Sequence, residues 1–194
     1  MARNERTAPA RRRTASDQVS AALLQAAETV LDRDGTAGVT VRAVANEARV
    51  APMSVYNRFA NKDGLLSALA VRAFDDLAAA IDVPQGSPPV RLRQACRGYR
   101  QFALTHPARY ALIFASGSPA TTRGREVFEA LVDMVRELTA GSRIDPIEGG
   151  QTVWHAIHGA VTIELAGRSR TPDPAATFEV MLGVLIGGLA VPAG

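Results

Sequence analysis

Apolar positions along this chain recur at spacings of three and four residues, and nowhere is there the strict alternation that a half-buried strand requires. The first stripe is Val19, Leu23, Ala26, Ala27, Val30 and Leu31. It follows Thr14-Ala15-Ser16-Asp17, where a threonine cap is answered three residues later by a carboxylate, and it stops at Asp32-Arg33-Asp34-Gly35. Thr40 opens a second helix of about two turns, with Val39 packing on Val44 across the cap and Val41, Val44, Ala45 and Ala48 as its apolar face. Arg49-Val50-Ala51 separates it from a third helix starting at Pro52, where a missing N–H costs nothing. Val55 and Phe59 face inward there, and Met53, Ser54, Asn57 and Arg58 point out. Asn61 caps a fourth, long helix carrying Leu65, Leu66, Leu69, Phe74, Leu77 and Ile81.

A longer helix followed by two short ones across a three-residue turn is the helix-turn-helix pattern. The run 83–89, rich in Pro and Gly, reads as a linker. Beyond it, breaks at His106-Pro107, Ser116 to Pro119, Gly141 to Pro146 and Gly167 to Pro174 leave five helices, near 90–105, 107–115, 123–140, 148–166 and 174–191. The expected fold is all-α with about nine helices: a basic disordered arm (1–13), a three-helix helix-turn-helix DNA-binding domain (14–62) and a helical bundle (63–194).

Composition narrows the picture. Hydrophobic residues make up 47% of 194, enough for a packed core, and the single Cys96 excludes an internal disulfide and fits a reducing cytoplasm. The N-terminus has no apolar run of the signal-peptide kind, and the most apolar stretch, 180–191, is interrupted by Gly183, Gly187 and Gly188 and is too short to cross a bilayer. A soluble, cytoplasmic protein without a membrane partner is expected. Charge is unevenly placed: ten Arg/Lys face six Asp/Glu over residues 1–62, against twelve and thirteen over 63–194. A basic first third is what a polyanion-binding module carries, although a charge run alone also suits a solvated tail. Lys62 is the only lysine, and it falls in the first turn of a helix, where the macrodipole disfavours a cation unless a phosphate arrives to share it. Tyr56 sits at the edge of an apolar face, able to pack inward or to extend its hydroxyl to a phosphate. No nucleophile elbow, phosphate loop, dinucleotide fingerprint or acidic metal cluster is present, so no enzyme, catalytic residue or cofactor is expected.

The segment 40–65, TVRAVANEARVAPMSVYNRFANKDGL, resembles the DNA-binding domain of the TetR (tetracycline repressor) family, with matches at Thr40, Val44-Ala45, Ala48, Val50, Tyr56, Phe59, Lys62, Asp63 and Leu65. The resemblance implies phosphate contacts from Thr40, Tyr56 and Lys62 and base readout from the exposed face of the third helix. Arg42, Pro52, Met53, Ser54, Asn57 and Arg58 complete that set, Asn57 suited to adenine and Arg58 to guanine or phosphate. Three positions depart from the family pattern: Arg49 replaces the turn glycine, Ala51 the capping serine and Met53 a glycine. The first two should each cost on the order of 1 kcal/mol.

Trp154-His155-Ala156-Ile157-His158-Gly159 is similar to a Trp-x-x-x-His-Gly pattern in one branch of the same family, as are Tyr99, Phe102-Ala103, His106-Pro107 and Tyr110 upstream. The helix over 152–166 is apolar nearly all round, with Trp154, His158, Val161 and Leu165 as one stripe and Ala156, Gly159 and Ile163 as another, so it should be buried on two faces, one of them against a second subunit. Helix 174–191, with its glycines, shares that character. His155 and His158 have a metal-compatible spacing but no third ligand, so no metal is expected. The resemblance implies a homodimer, a double-stranded palindromic operator, and a repressor released by an apolar or aromatic small molecule. Candidate ligand-binding residues are Phe102, Tyr110, Phe114, Phe128, Met134, Trp154 and His158, for each of which core packing is the simpler role.

Overall fold

The computed structural model describes residues 15–114 and 121–190, and among them the chain forms nine α-helices and no strand. They are α1 (Ala15–Gly38), α2 (Val41–Glu47), α3 (Pro52–Phe59), α4 (Lys62–Ile81), α5 (Pro88–Thr105), α6 (Pro107–Phe114), α7 (Thr121–Leu138), α8 (Pro146–Leu165) and α9 (Pro174–Leu189). The basic arm 1–13, the Thr14 cap and the break at Ser116 to Pro119 lie outside the described residues.

Local chemistry places the boundaries. Thr40 Oγ1 accepts from Ala43 N at 3.1 Å and Asn61 Oδ1 from Gly64 N at 2.8 Å, each satisfying an orphan N–H of a helix start. Asp145 and Asp173 do the same for α8 and α9, each followed by a proline. Of the helices in the second half, α6 and α9 begin at Pro107 and Pro174 as the pattern places them, and α5, α7 and α8 begin two residues earlier, so that α5, starting at Pro88, shortens the linker. Gly35, at φ 68°, ends the regular part of α1 as the sequence requires.

One continuous hydrophobic core runs from Leu23 in α1 to Leu189 in α9. Its inner stripe in α1 is the expected one except for Val19, which is 51% exposed at the outer end of the helix. The spine is α4, which packs against α1 and α3 and also against α5, α6 and α7. No packing boundary falls at residue 62: the helix that Lys62 opens carries Leu65, Leu69, Phe74 and Leu77 into the same core.

The closest backbone approach on this spine is at Gly98 of α5, where a Cβ would lie 1.9 Å from the Ala80 carbonyl oxygen. Neither partner is a side chain that can turn aside. Gly98→Ala is therefore expected to force α4 and α5 apart and to cost about 1–3 kcal/mol, the usual range for overpacking. A lowered thermal midpoint checks this, and a variant melting with the parent chain would show that the two helices separate freely.

Candidate nucleic-acid interface and central cavity

The turn between α2 and α3 holds the two short helices at a fixed angle. Val50 N donates to Ala45 O at 2.9 Å and Arg49 N to Asn46 O at 3.1 Å, the paired bonds that close a helix through a left-handed residue. That residue is Arg49, at φ 55°, so a non-glycine does occupy the left-handed position. Ala51, at the start of α3, contributes no side-chain cap. Ala60, at φ 62°, makes a second strained turn that the sequence did not reveal, and there Asn61 N donates to Phe59 O at 2.7 Å. Gly64 makes this turn fit, because a Cβ there would lie 2.1 Å from Phe59 O.

The result is a compact outward face. Val55 is fully buried and Phe59 partly so, while Pro52, Met53, Asn57 and Arg58 are exposed and Ser54 is half-buried. Tyr56 is 49% exposed and so is not a core aromatic. Thr40, Arg42 and Lys62 are exposed as well. Thr40 spends its oxygen on Ala43 but keeps its hydroxyl proton, and Lys62 occupies the first position of α4. The candidate DNA-binding residues thus stand on α3, or at the starts of α2 and α4 beside it.

A cavity of about 240 Å³ lies among α4, α5, α6, α7 and α8. Phe114, Phe128, Met134 and Trp154 of the expected set line it. Phe102 does not: it is buried and packs near His106, with ring centroids 5.8 Å apart. Tyr110 and His158 stand behind the wall, stacked on each other at 5.6 Å and reaching the cavity through Phe114 and Tyr99. Phe74, Cys96 and Tyr99 also line it and were not among the expected ligand residues. Cys96 and Tyr99 belong to the apolar face of α5, a signal of inward orientation but not of an adjacent void.

Behind Tyr99 is a buried polar knot. His158 Nδ1 lies 2.7 Å from the Tyr110 hydroxyl and 3.0 Å from that of Tyr99, and the two hydroxyls are 3.2 Å apart. Burial, and secondarily the charge of His155, lowers the His158 pKa, so the ring is neutral near pH 7. Burial also raises both tyrosines and pushes the Cys96 thiol to about 12, so all three stay protonated. No cluster of three or more metal-ligating side chains occurs among the described residues.

A third feature joins the face to the cavity. Arg109 of α6, whose side chain is 13% exposed, reaches Asp32 of α1 at 2.7 Å and Asp76 of α4 at 2.9 Å. Nearby, Arg72 Nε lies 2.8 Å from Oε1 of the buried Glu28 as an ion pair without hydrogen-bond alignment, and burial raises the Glu28 pKa.

The outer faces of α8 and α9 differ from the expected stripes. The buried line of α8 is Gly149, Gly150, Val153, Ile157 and Val161, and Leu165 is exposed. Ile163, Val180 and Val184 are 51%, 68% and 72% exposed, and a Cβ added at Gly159, Gly183, Gly187 or Gly188 meets nothing within 4 Å.

Residues 23–69 match the family model "Bacterial regulatory proteins, tetR family", and residues 92–185 match "Tetracyclin repressor-like, C-terminal domain". HTH-type transcriptional regulator Mb1846 of Mycobacterium bovis is 31% identical over 117 residues, 56% of this chain and 49% of that protein. The chain thus spans about half the length of the curated relatives it matches first. A protein of unknown function from Rhodococcus sp. RHA1 superposes with TM-score 0.77 at 24% identity, covering 89% of this chain and 96% of the other. The transcriptional regulator SCO7222, a TetR from Streptomyces coelicolor, does so with TM-score 0.74 at 20% identity, covering 87% and 96%. At these identities the two structures speak to the fold alone.

The polar knot has a pH signature. His158 has a folded-state pKa below its ordinary 6.5, so the unfolded chain binds the extra proton first. Its contribution to stability is complete above about pH 6.5 and is lost as the pH falls from there through the folded-state value. His158→Gln keeps an acceptor for Tyr110 but cannot titrate. Melts between pH 7.5 and 5 are expected to fall more steeply for the parent chain than for this variant; parallel curves would mean that His158 already titrates freely in the fold.

Proposed function

The chain belongs to the tetR family of bacterial regulatory proteins, and on that premise we propose that it is a sequence-specific DNA-binding transcriptional regulator: a cytoplasmic homodimeric repressor, not an enzyme, released from a palindromic operator by an apolar or aromatic small molecule. The observation that carries this reading is the exposed face of α3, flanked by Thr40 and Lys62 at two helix starts and bearing a tyrosine that packing does not explain. Thr40, Tyr56 and Lys62 would meet phosphates and fix the register of α3 in the major groove. Asn57, Arg58, Ser54 and Met53 would address base edges, with Arg42 and Pro52 at the margins. The cavity would hold the small molecule. No helix among the described residues is long and apolar enough to cross a membrane.

Footprinting on the DNA flanking its own gene tests the function directly and should return a near-palindromic site. On that site Lys62→Ala should weaken binding and reduce the slope of log affinity against log salt by about one unit. Tyr56→Phe should weaken binding with the slope unchanged, since only a neutral hydrogen bond is lost. If both variants bind as the parent does, the phosphate contacts are misassigned.

The second subunit is assigned to the exposed apolar face of α8 and α9, where open glycines permit close helix approach. Val180→Asp combined with Val184→Asp alters side chains already exposed in the single chain, so folding should survive. Sedimentation should give a monomer with operator affinity lost; a dimeric variant would move the interface elsewhere.

A further inference from the structure

The cavity lining carries a chemical instruction. Among the described residues, fifteen surround it, and none of these is Asp, Glu, Lys, Arg or His. Its two titratable groups, Cys96 and Tyr99, are held protonated by burial. An ionised ligand would leave water for walls with no counter-charge, so charge is excluded whatever the ligand's shape. Size is bounded too. A dry cavity near 150 Å³ accepts benzene, so about 240 Å³ takes roughly ten to twelve non-hydrogen atoms.

The polar knot says where a single polar atom would go. A neutral imidazole nitrogen has one lone pair, and the 2.7 Å contact gives that of His158 Nδ1 to the Tyr110 proton. The Tyr99 proton is then left only the 3.2 Å contact to the Tyr110 oxygen. In the other tautomer Nδ1–H donates to the Tyr110 oxygen at 2.7 Å, and the Tyr99 proton is again left with the 3.2 Å contact to that oxygen. In either case Tyr99, which alone of the three groups lines the cavity, carries the most loosely held donor.

Building on the reading of this cavity as an effector site, we propose that it selects an uncharged, largely apolar molecule of about ten to twelve non-hydrogen atoms bearing one hydrogen-bond acceptor, such as a ketone, aldehyde or ester, which takes the proton of Tyr99. The bond is directional and single, so it orients the ligand while the apolar walls supply the affinity.

Three probes share one skeleton and differ in this chemistry: 4-phenylbutan-2-one, butylbenzene and 4-phenylbutanoate. Binding to the full chain is measured by calorimetry and by the fluorescence of Trp154, the only tryptophan, which lines the cavity. The ketone should bind about three- to tenfold more tightly than the hydrocarbon, as one net hydrogen bond allows. The carboxylate should bind at least about a hundredfold more weakly than the ketone at pH 7.5. Tyr99→Phe should erase the ketone's advantage and leave the hydrocarbon's affinity nearly unchanged. Equal binding of ketone and hydrocarbon by the parent chain, carboxylate binding as tight as the ketone's, or no binding of any probe each overturns the proposal without recourse to a variant. Operator release is measured separately: selective ketone binding that leaves the operator complex intact keeps the ligand class and removes the effector reading.

Discussion

The joint on which this architecture turns is the guanidinium of Arg109. It projects from α6 and is held at once by carboxylates of α1 and α4, 77 and 33 residues away in sequence. Exposed ion pairs are weak because water screens them and the side chains must be immobilised. Here the arginine is largely buried and two carboxylates share it, so removing one member would strand charge in a poorly hydrated site. Glu28 and Arg72 extend the arrangement between α1 and α4. The cluster is therefore a geometric constraint more than a store of stability: it fixes the distance between the helix supporting the reading head and the two that wall the cavity.

That constraint ties the two proposed activities together. Tyr110, next to Arg109, stacks on His158, and Phe114, one turn further, lies against both His158 and Trp154. A molecule entering the cavity would meet α6 through Ile113 and Phe114 and, by way of Tyr99 of α5, through Tyr110. Packed aromatic side chains have few rotamers into which to yield, so a displaced α6 moves largely as a body. On the proposed effector reading, Arg109 would then draw on Asp32 and Asp76, and α1 and α4 would follow, carrying the starts of the helices beside α3. A coupling of about 1–3 kcal/mol between the two sites is typical of such switches and is within what an arrangement of this kind can transmit.

Legibility in the sequence followed locality. Thr40, Asn61, Gly35 and the turn at Arg49 were readable because each acts within three or four residues of itself. The outward face of α3 was readable because Val55 and Phe59 sit one turn apart in a helix otherwise polar enough to have a phase. In α8 the same reasoning failed. With apolar residues on every side, periodicity leaves the inward direction undetermined, and the buried line runs through Val153 and Ile157, not through Trp154 and Leu165. The glycines show the converse. Gly183, Gly187 and Gly188 catch the eye as a cluster yet face open space, while Gly98, isolated in an arginine-rich helix, marks the tightest contact, because closeness is decided by a helix elsewhere in the chain. The cavity lining depends on five helices at once, so no local pattern could distinguish Phe102, which is packed, from Phe114, which borders the void.

Two strained residues bracket α3, Arg49 before it and Ala60 after it, and its first turn has no side-chain cap. Left-handed non-glycine residues cost about 1–2 kcal/mol each, and a missing cap about 1 kcal/mol. An eight-residue helix cannot offset that by itself, since isolated helices of this length are unstable even with good sequences. What holds it is packing on one side: Val55 fully buried, Phe59 partly, against a core that includes Val44, Ala45 and Leu65. Its conformation therefore depends on packing against α2 and α4. The glycine-to-methionine departure at Met53 falls on the outward side of this helix, 63% exposed, away from the packing that holds α3 in place.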